Sequence, residues 1–140
     1  MKKSILTIIV ILICTIGISQ SYNLTLNITN IEKIKGDMSI ALFDNGDKFP
    51  GRSNCYFGIN LPVTLNELTY VFKDIPRGTY AIAIYHDIDK NGKMNTNWIG
   101  IPNEPYGFSN DAMGKMGPPK FEDASFEVTS DLEVSISLNN

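Results

Sequence analysis

The sequence predicts an all-β chain: a single antiparallel β-sandwich of about seven strands with one long ordered loop. Three observations carry this. From Ser21 onward apolar residues recur at every second position, the period of a half-buried strand. Gly, Pro, Asn and Asp cut the chain into short runs, as strand-and-turn chains require. After the first twenty residues no stretch carries apolar residues at helical spacing, so helices have no face to bury.

Taken in order, Leu24, Leu26 and Ile28 alternate with Thr25, Asn27 and Thr29, a strand ending near Asn30. Lys35-Gly36-Asp37 is a turn, and Met38 to Phe43 is a second strand stopped by Asp44 to Asp47. Pro50, Gly51, Gly58 and Pro62 leave residues 48–65 irregular. Thr69 to Phe72 is a short strand, and the turn Asp74 to Gly78 leads into Thr79–His86, the strongest strand. There Tyr80, Ile82 and Ile84 face one way and Ala81, Ala83 and Tyr85 the other. Small residues on one face predict another element packed closely on it, hence a central strand. Ser125 to Val128 and Leu132 to Leu138 close the chain. Between them residues 87–123 carry no obvious regular structure; a loop that long is usually functional.

The N-terminus has the features of an export signal: Lys2 and Lys3, an apolar run from Ile5 to Ile16, and small residues Gly17 and Ser19 before Gln20. Residues 1–19 are therefore expected to be a signal peptide and 20–140 one exported domain, in the periplasm, at the cell surface or outside the cell. The run is too short for a comfortable membrane span. Cys14 keeps a lipoprotein or an uncleaved anchor open, although Ile13 stands where a lipoprotein signal has a small residue. Beyond residue 19 ten basic and fifteen acidic residues remain, a net charge of −5. That balance, without a Lys/Arg cluster, argues against nucleic acid and against an anionic membrane as partners. Cys55 is then the single cysteine, so no internal disulfide staples the fold. It reads as a small, partly buried residue.

The stretch FKDIPRGTY (Phe72–Tyr80), followed by an alternating strand, resembles the turn-and-strand signature of prealbumin-like and collagen-adhesin B-type sandwiches. YAIAIYHDIDKNGKMNTNWIGIPNEPYGFSN (Tyr80–Asn110) and GPPKFEDASF (Gly117–Phe126) resemble the secreted bacterial family catalogued as domain of unknown function 2141. The resemblance covers most of the chain after residue 19. It implies an exported β-sandwich, prealbumin-like or immunoglobulin-like, and supplies no catalytic residues to carry over.

One loop carries a candidate chemistry. Asp87, Asp89, Asn91, Gly92, Lys93 and Asn95 follow the front half of the calcium-loop pattern D-x-[DN]-x-[DN]-G. Ca²⁺ takes six to eight oxygens at about 2.4 Å. Alternate side chains in a curled loop can turn oxygens inward, and glycine allows the left-handed backbone that the curl needs. On this reading Lys93 would supply its carbonyl and Asn95 a side-chain oxygen. The twelfth position holds Trp98 where an EF-hand places a bidentate Glu, so another acid must close the site: first Glu104, then Asp111, Asp123 and Glu122. The competing reading is a turn at Asn91-Gly92 whose Asp and Asn side chains cap backbone amides, with no metal.

Other constellations are weaker. A lone His86 and a distant Cys55 do not make a zinc site. No G-x-S-x-G stretch is present. The acid pairs Asp87/Asp89 and Glu122/Asp123 are expected to be solvated rather than glycosidic. Trp98, Tyr106 and Phe108 concentrate aromatic surface in the long loop. They either stack on a sugar or a protein partner, or fold inward with Met113, Met116, Pro118, Pro119 and Phe121 as a core of the loop's own; inward folding is the expectation. The leading function is a non-catalytic exported module that presents a binding surface to a protein or glycan. The alternative is a carbohydrate-binding module or weak carbohydrate-active enzyme, and a third is a structural envelope protein.

Overall fold

Among the described residues the alternating runs become eight strands in two facing sheets. The structure is a computed structural model that describes residues 20–47 and 49–140; the expected signal peptide lies outside the described residues. The strands are β1 (Ser21–Thr29), β2 (Asp37–Phe43), β3 (Phe57–Pro62), β4 (Leu68–Pro76), β5 (Gly78–Asp87), β6 (Tyr106–Phe108), β7 (Phe126–Val128) and β8 (Leu132–Ser137). Among the described residues the α-helix is α1 (Phe121–Ala124), which precedes β7, and two 3-10 turns lie at Arg52–Asn54 and Ser109–Asp111.

One sheet has the order β4-β1-β8, and the other β3-β2-β5-β6 with β7 also on β5. Leu24, Leu26 and Ile28 of β1 meet Met38, Ile40 and Leu42 of β2 and Tyr80, Ile82 and Ile84 of β5, with Ile136 and Leu138 closing the layer. Each fully buried aliphatic side chain contributes about 1.5–3 kcal/mol, so this shared layer is what holds the sheets together.

β5 is central, as its two faces predicted. It pairs with β2 along one edge and with β6 and β7 along the other. Its small-residue face is covered by a second cluster, Ala81, Phe108 and Ala124, on which Phe49, Ala83, Tyr106, Ala112 and Phe121 pack. Phe49 is the hub: its ring meets Phe43 at 5.2 Å, Phe108 at 5.8 Å and Phe121 at 5.9 Å. Buried Ser109 fixes the long loop to β5, accepting from the Ile82 N–H at 2.9 Å and donating to the Ala124 carbonyl at 2.5 Å.

Four expectations are corrected. The sandwich is not antiparallel throughout, because β1 and β8 run parallel, with Leu24 opposite Leu132 and Ile28 opposite Ile136. Residues 48–65 are not all irregular: β3 lies there as a half-exposed edge strand, where Gly58 and Pro62 are tolerated because one side of the strand has no ladder partner. The turn assigned to Asp74–Gly78 is only Arg77 between two strands, with the backbone bend earlier, at Asp74 (φ 56°). The 87–123 segment contains β6 and α1, each too short to leave a periodic signal.

His86 is buried on β5, where its Nε2–H donates to the Lys35 carbonyl at 2.6 Å, the strand-end role expected of it. Cys55 is half-buried. Among the described residues no helix is long and apolar enough to cross a membrane.

Candidate metal centre at the root of the long loop

The loop leaves β5 at Asp87, the last residue of the central strand, so the first candidate ligand is held by strand pairing, opposite Asp37 of β2. Lys90 (φ 59°) and Gly92 (φ 75°) are left-handed and curl the chain back. Nothing lies within 4 Å of where a Cβ on Gly92 would sit, so that glycine answers to backbone conformation alone.

Glu104 closes the loop. It lies sixteen residues beyond Ile88, yet its Oε1 accepts the Ile88 N–H at 2.9 Å and its Oε2 the Asn95 N–H at 3.0 Å. Asp87 accepts the Asn91 N–H at 3.0 Å and the Gly92 N–H at 2.8 Å, one on each oxygen. A ligand oxygen from each of Asp87, Asp89 and Glu104 lies within 4.8 Å of the others. Asp87 is 3% and Glu104 6% exposed. Among the described residues the ion pair is Lys90–Asp37 at 2.9 Å, so no basic side chain neutralises the three carboxylates.

Asp89 is the exposed member. A hydrogen bond from the Asn95 side chain, opposed by desolvation and helped by the Asn91 backbone, holds its carboxyl below the ordinary value of 3.8. The Asn91 and Asn95 amides donate to Asp89 Oδ2 at 3.1 and 2.8 Å. Asn91 Oδ1 accepts the Lys93 N–H at 2.8 Å, and Asn95 Oδ1 accepts from the Asn91 amide. Hence, of the six residues assigned to the site, Asp87, Asp89 and Glu104 converge. Asn91 and Asn95 orient Asp89 instead of pointing oxygens at an ion, and Lys93 enters through its N–H. Asp111, a further closing acid by sequence, is used elsewhere, accepting the Ser137 N–H at 3.2 Å.

The donor set fits a hard divalent cation. All three charged ligands are oxygens, the kind Ca²⁺ takes. Each carboxylate oxygen has two lone pairs, so the single amide on each oxygen of Asp87 and Glu104 leaves capacity for an ion. Were Asp87 and Glu104 both ionised with nothing between them, their repulsion would be on the order of 3–4 kcal/mol at an effective dielectric near 20. A cation removes that cost.

Past the site the chain forms a small hairpin. Thr96 bridges Pro102, Asn97 N–H donates to the Ile101 carbonyl at 2.8 Å, and Asn103 N–H to the Asn95 carbonyl at 2.8 Å. Trp98 stands at its tip, 94% exposed. This corrects the expectation that Trp98, Met113 and Met116 fold inward: all three are exposed, as are Ile99 and Ile101. Phe108, a binding-surface candidate expected to fold inward, does so and is buried at 7%, and Tyr106 is half-buried beside it at 5.9 Å. The aromatic trio therefore does not form one platform. A groove of about 600 Å³ separates the hairpin from residues 113–119, lined by Ile99, Ile101, Tyr106, Met113 and Met116 among others. The sequence-level signal for it was an apolar cluster (Trp98, Ile99, Ile101) without a polar alternate.

No curated protein and no solved structure matches the chain. The bacterial family described as uncharacterized protein conserved in bacteria, DUF2141, matches residues 26–137. That span runs from within β1 to the last residue of β8 and takes in the whole candidate site, and the chain belongs to this family.

Proposed function

We propose that the protein is an exported, non-catalytic β-sandwich module that takes up a calcium ion through Asp87, Asp89 and Glu104 and uses the ordered loop beyond it as a binding surface. Export rests on the basic and apolar pattern of residues 1–19. The observation that carries the calcium reading is the convergence within 4.8 Å of three acids from two separated segments, without a basic partner among the described residues. Calcium would tie the end of β5 to the base of the Trp98 hairpin and so fix the surface that the hairpin presents. The non-catalytic part is supported by the site's make-up: each buried acid is occupied by backbone amides, and His86 faces Lys35, which leaves no nucleophile–base pair here. Trp98, exposed at the hairpin tip, also suits the alternative of a sugar-binding module; there, a glycan would have to bind the wild type and not Trp98→Ala.

Calcium is expected to raise the melting temperature of the purified protein relative to EDTA. At a hundredfold excess over the dissociation constant the gain is about 2.7 kcal/mol, a rise of roughly 10 °C for a domain of this size. Asp89→Ala should lose the rise. The pH dependence has a sign. The lowered Asp89 carboxyl contributes stability that is present above 3.8 and lost as pH falls through its lowered value. Asp89's own contribution should therefore survive mild acid and vanish below that window. Identical melting curves in calcium and EDTA at neutral pH would reduce the loop to turn chemistry.

A further inference from the structure

We propose that Asn45 is a modification site. In the folded protein it loses ammonia through attack by the Gly46 nitrogen and becomes aspartate or isoaspartate, while Asn91, in the same dipeptide, is held back by the fold. Asn-Gly occurs in the chain at 45–46 and at 91–92. Glycine carries no side chain to hinder its own nitrogen, so at these two places the attack meets least steric resistance.

The electrophile is presented alike at both. Asn45 Oδ1 accepts the Asp47 N–H at 3.2 Å, and Asn91 Oδ1 the Lys93 N–H at 2.8 Å. Each is a turn closed by the side chain, which lays the amide carbon over the following peptide. The N–H on the oxygen also stabilises the charge that develops there during attack. The nucleophile is what differs. Gly92 N–H donates to Asp87 Oδ2 at 2.8 Å, and Asp87 is buried. Removing that proton would set a nitrogen anion against a buried carboxylate. Both hydrogens of the Asn91 amide are committed as well, to Asp89 at 3.1 Å and to Asn95 at 2.7 Å. Gly46 N–H, by contrast, meets no acceptor among the described residues. Residues 44–47 are all exposed, and the Asn45 amide donates to Asp44 alone, at 2.7 Å.

Water is the only co-reactant the step needs. Gly46 N–H gives its proton to solvent base, the N–Cγ bond forms, and the Cγ–Nδ2 bond breaks as the nitrogen leaves as ammonia. Water then opens the cyclic imide. Opening at Cγ leaves aspartate; opening at the backbone carbonyl leaves isoaspartate, whose main chain runs through Cβ and Cγ. Nothing is oxidised or reduced. Either product adds a carboxylate between Asp44 and Asp47, and isoaspartate also lengthens the turn by a methylene. Gly46 supports the second cluster: its carbonyl accepts the Phe49 N–H at 3.4 Å, and a Cβ on it would lie 3.1 Å from Phe121 Cβ. A longer turn therefore loosens the seat of Phe49. None of this rests on the calcium reading.

The purified protein is incubated in mildly alkaline buffer with EDTA, folded and in urea, and its peptides are mapped by mass spectrometry over time. In the folded protein Asn45 should gain the mass of an amide-to-carboxyl exchange about tenfold faster than Asn91, a ratio that one charge-assisted hydrogen bond sustains. In urea both dipeptides should convert at comparable rates, because the fold is what separates them. The aged protein should melt roughly 5 °C below the fresh protein. Asn45→Gln, whose longer side chain disfavours the same ring closure, should show neither the mass gain at 45 nor the lower melting temperature. Equal rates in the folded protein overturn the proposal, as does Asn91 converting first. So does a folded chain that converts at neither site while the unfolded chain converts at both. A tenfold difference that persists in urea overturns it as well, since neighbours in sequence and not the fold would then set the rates. Conversion at Asn45 with an unaltered melting temperature overturns the link to Phe49.

Discussion

Gly36→Ala is expected to destabilise the protein by about 3 kcal/mol and to weaken calcium binding with it. Gly36 sits in the turn before β2 at φ +77°, and a Cβ there would strike the Asp87 carbonyl oxygen and come within 2.7 Å of the Ile88 Cα. Both are backbone atoms, fixed by strand pairing and by the Glu104 contact, so neither can yield as a side-chain tip would. The left-handed conformation costs roughly 1–3 kcal/mol in a non-glycine residue, and forced repacking a comparable amount. Displacement of Asp87 would move a proposed ligand. Gly92→Ala is the control: it has the same backbone sign, φ +75°, with open space around it, and should lose only about 1 kcal/mol. Urea unfolding of both variants checks this; equal losses would contradict the role given to the Gly36–Asp87 contact.

Glu104→Gln has the largest expected effect on the ion. The amide can still accept one backbone N–H, but it removes a charge from the cluster. In EDTA the loss of one charge-assisted hydrogen bond is offset by relief of repulsion from Asp87, so the variant should melt close to the wild type. In calcium it should fall below the wild type by the whole ion contribution, about 2.7 kcal/mol at a hundredfold excess. A purely structural Glu104, clamping Ile88 and Asn95, would produce the same deficit in both buffers. Glu104→Ala separates the two further, since it strands both amides and should lose about 2–3 kcal/mol even in EDTA.

Much of the sandwich was legible because burial on one face forces a period of two. Leu24, Leu26 and Ile28, Met38 to Phe43, and Leu132 to Ser137 lie in strands as read, and the small face of β5 announced the layer that covers it. β3 escaped although Phe57, Ile59, Leu61 and Val63 alternate and Ile59 and Leu61 pack on the core, because Gly58 and Pro62 between them carry turn signals. The parallel pairing of β1 with β8 is a long-range choice that neither strand encodes locally. In the long loop, the need for an internal core was read correctly, with Tyr106, Phe108 and Phe121 in it as expected and Trp98, Met113 and Met116 outside it. Phe49, from a stretch left as irregular, packs on Phe108 and Phe121, so Trp98 and Met116 were not needed inside. In the site, spacing located Asp87 and Asp89, and the missing twelfth ligand directed attention to Glu104. What spacing does not carry is which way an amide faces, and Asn91 and Asn95 turned out to hold Asp89.

Calorimetric titration of the purified protein with calcium tests the central claim most directly. The account predicts a saturable event at one ion per chain, abolished in Asp89→Ala and Glu104→Gln and unaffected by Trp98→Ala. No heat of binding up to millimolar calcium, or binding that survives Glu104→Gln unchanged, would contradict it.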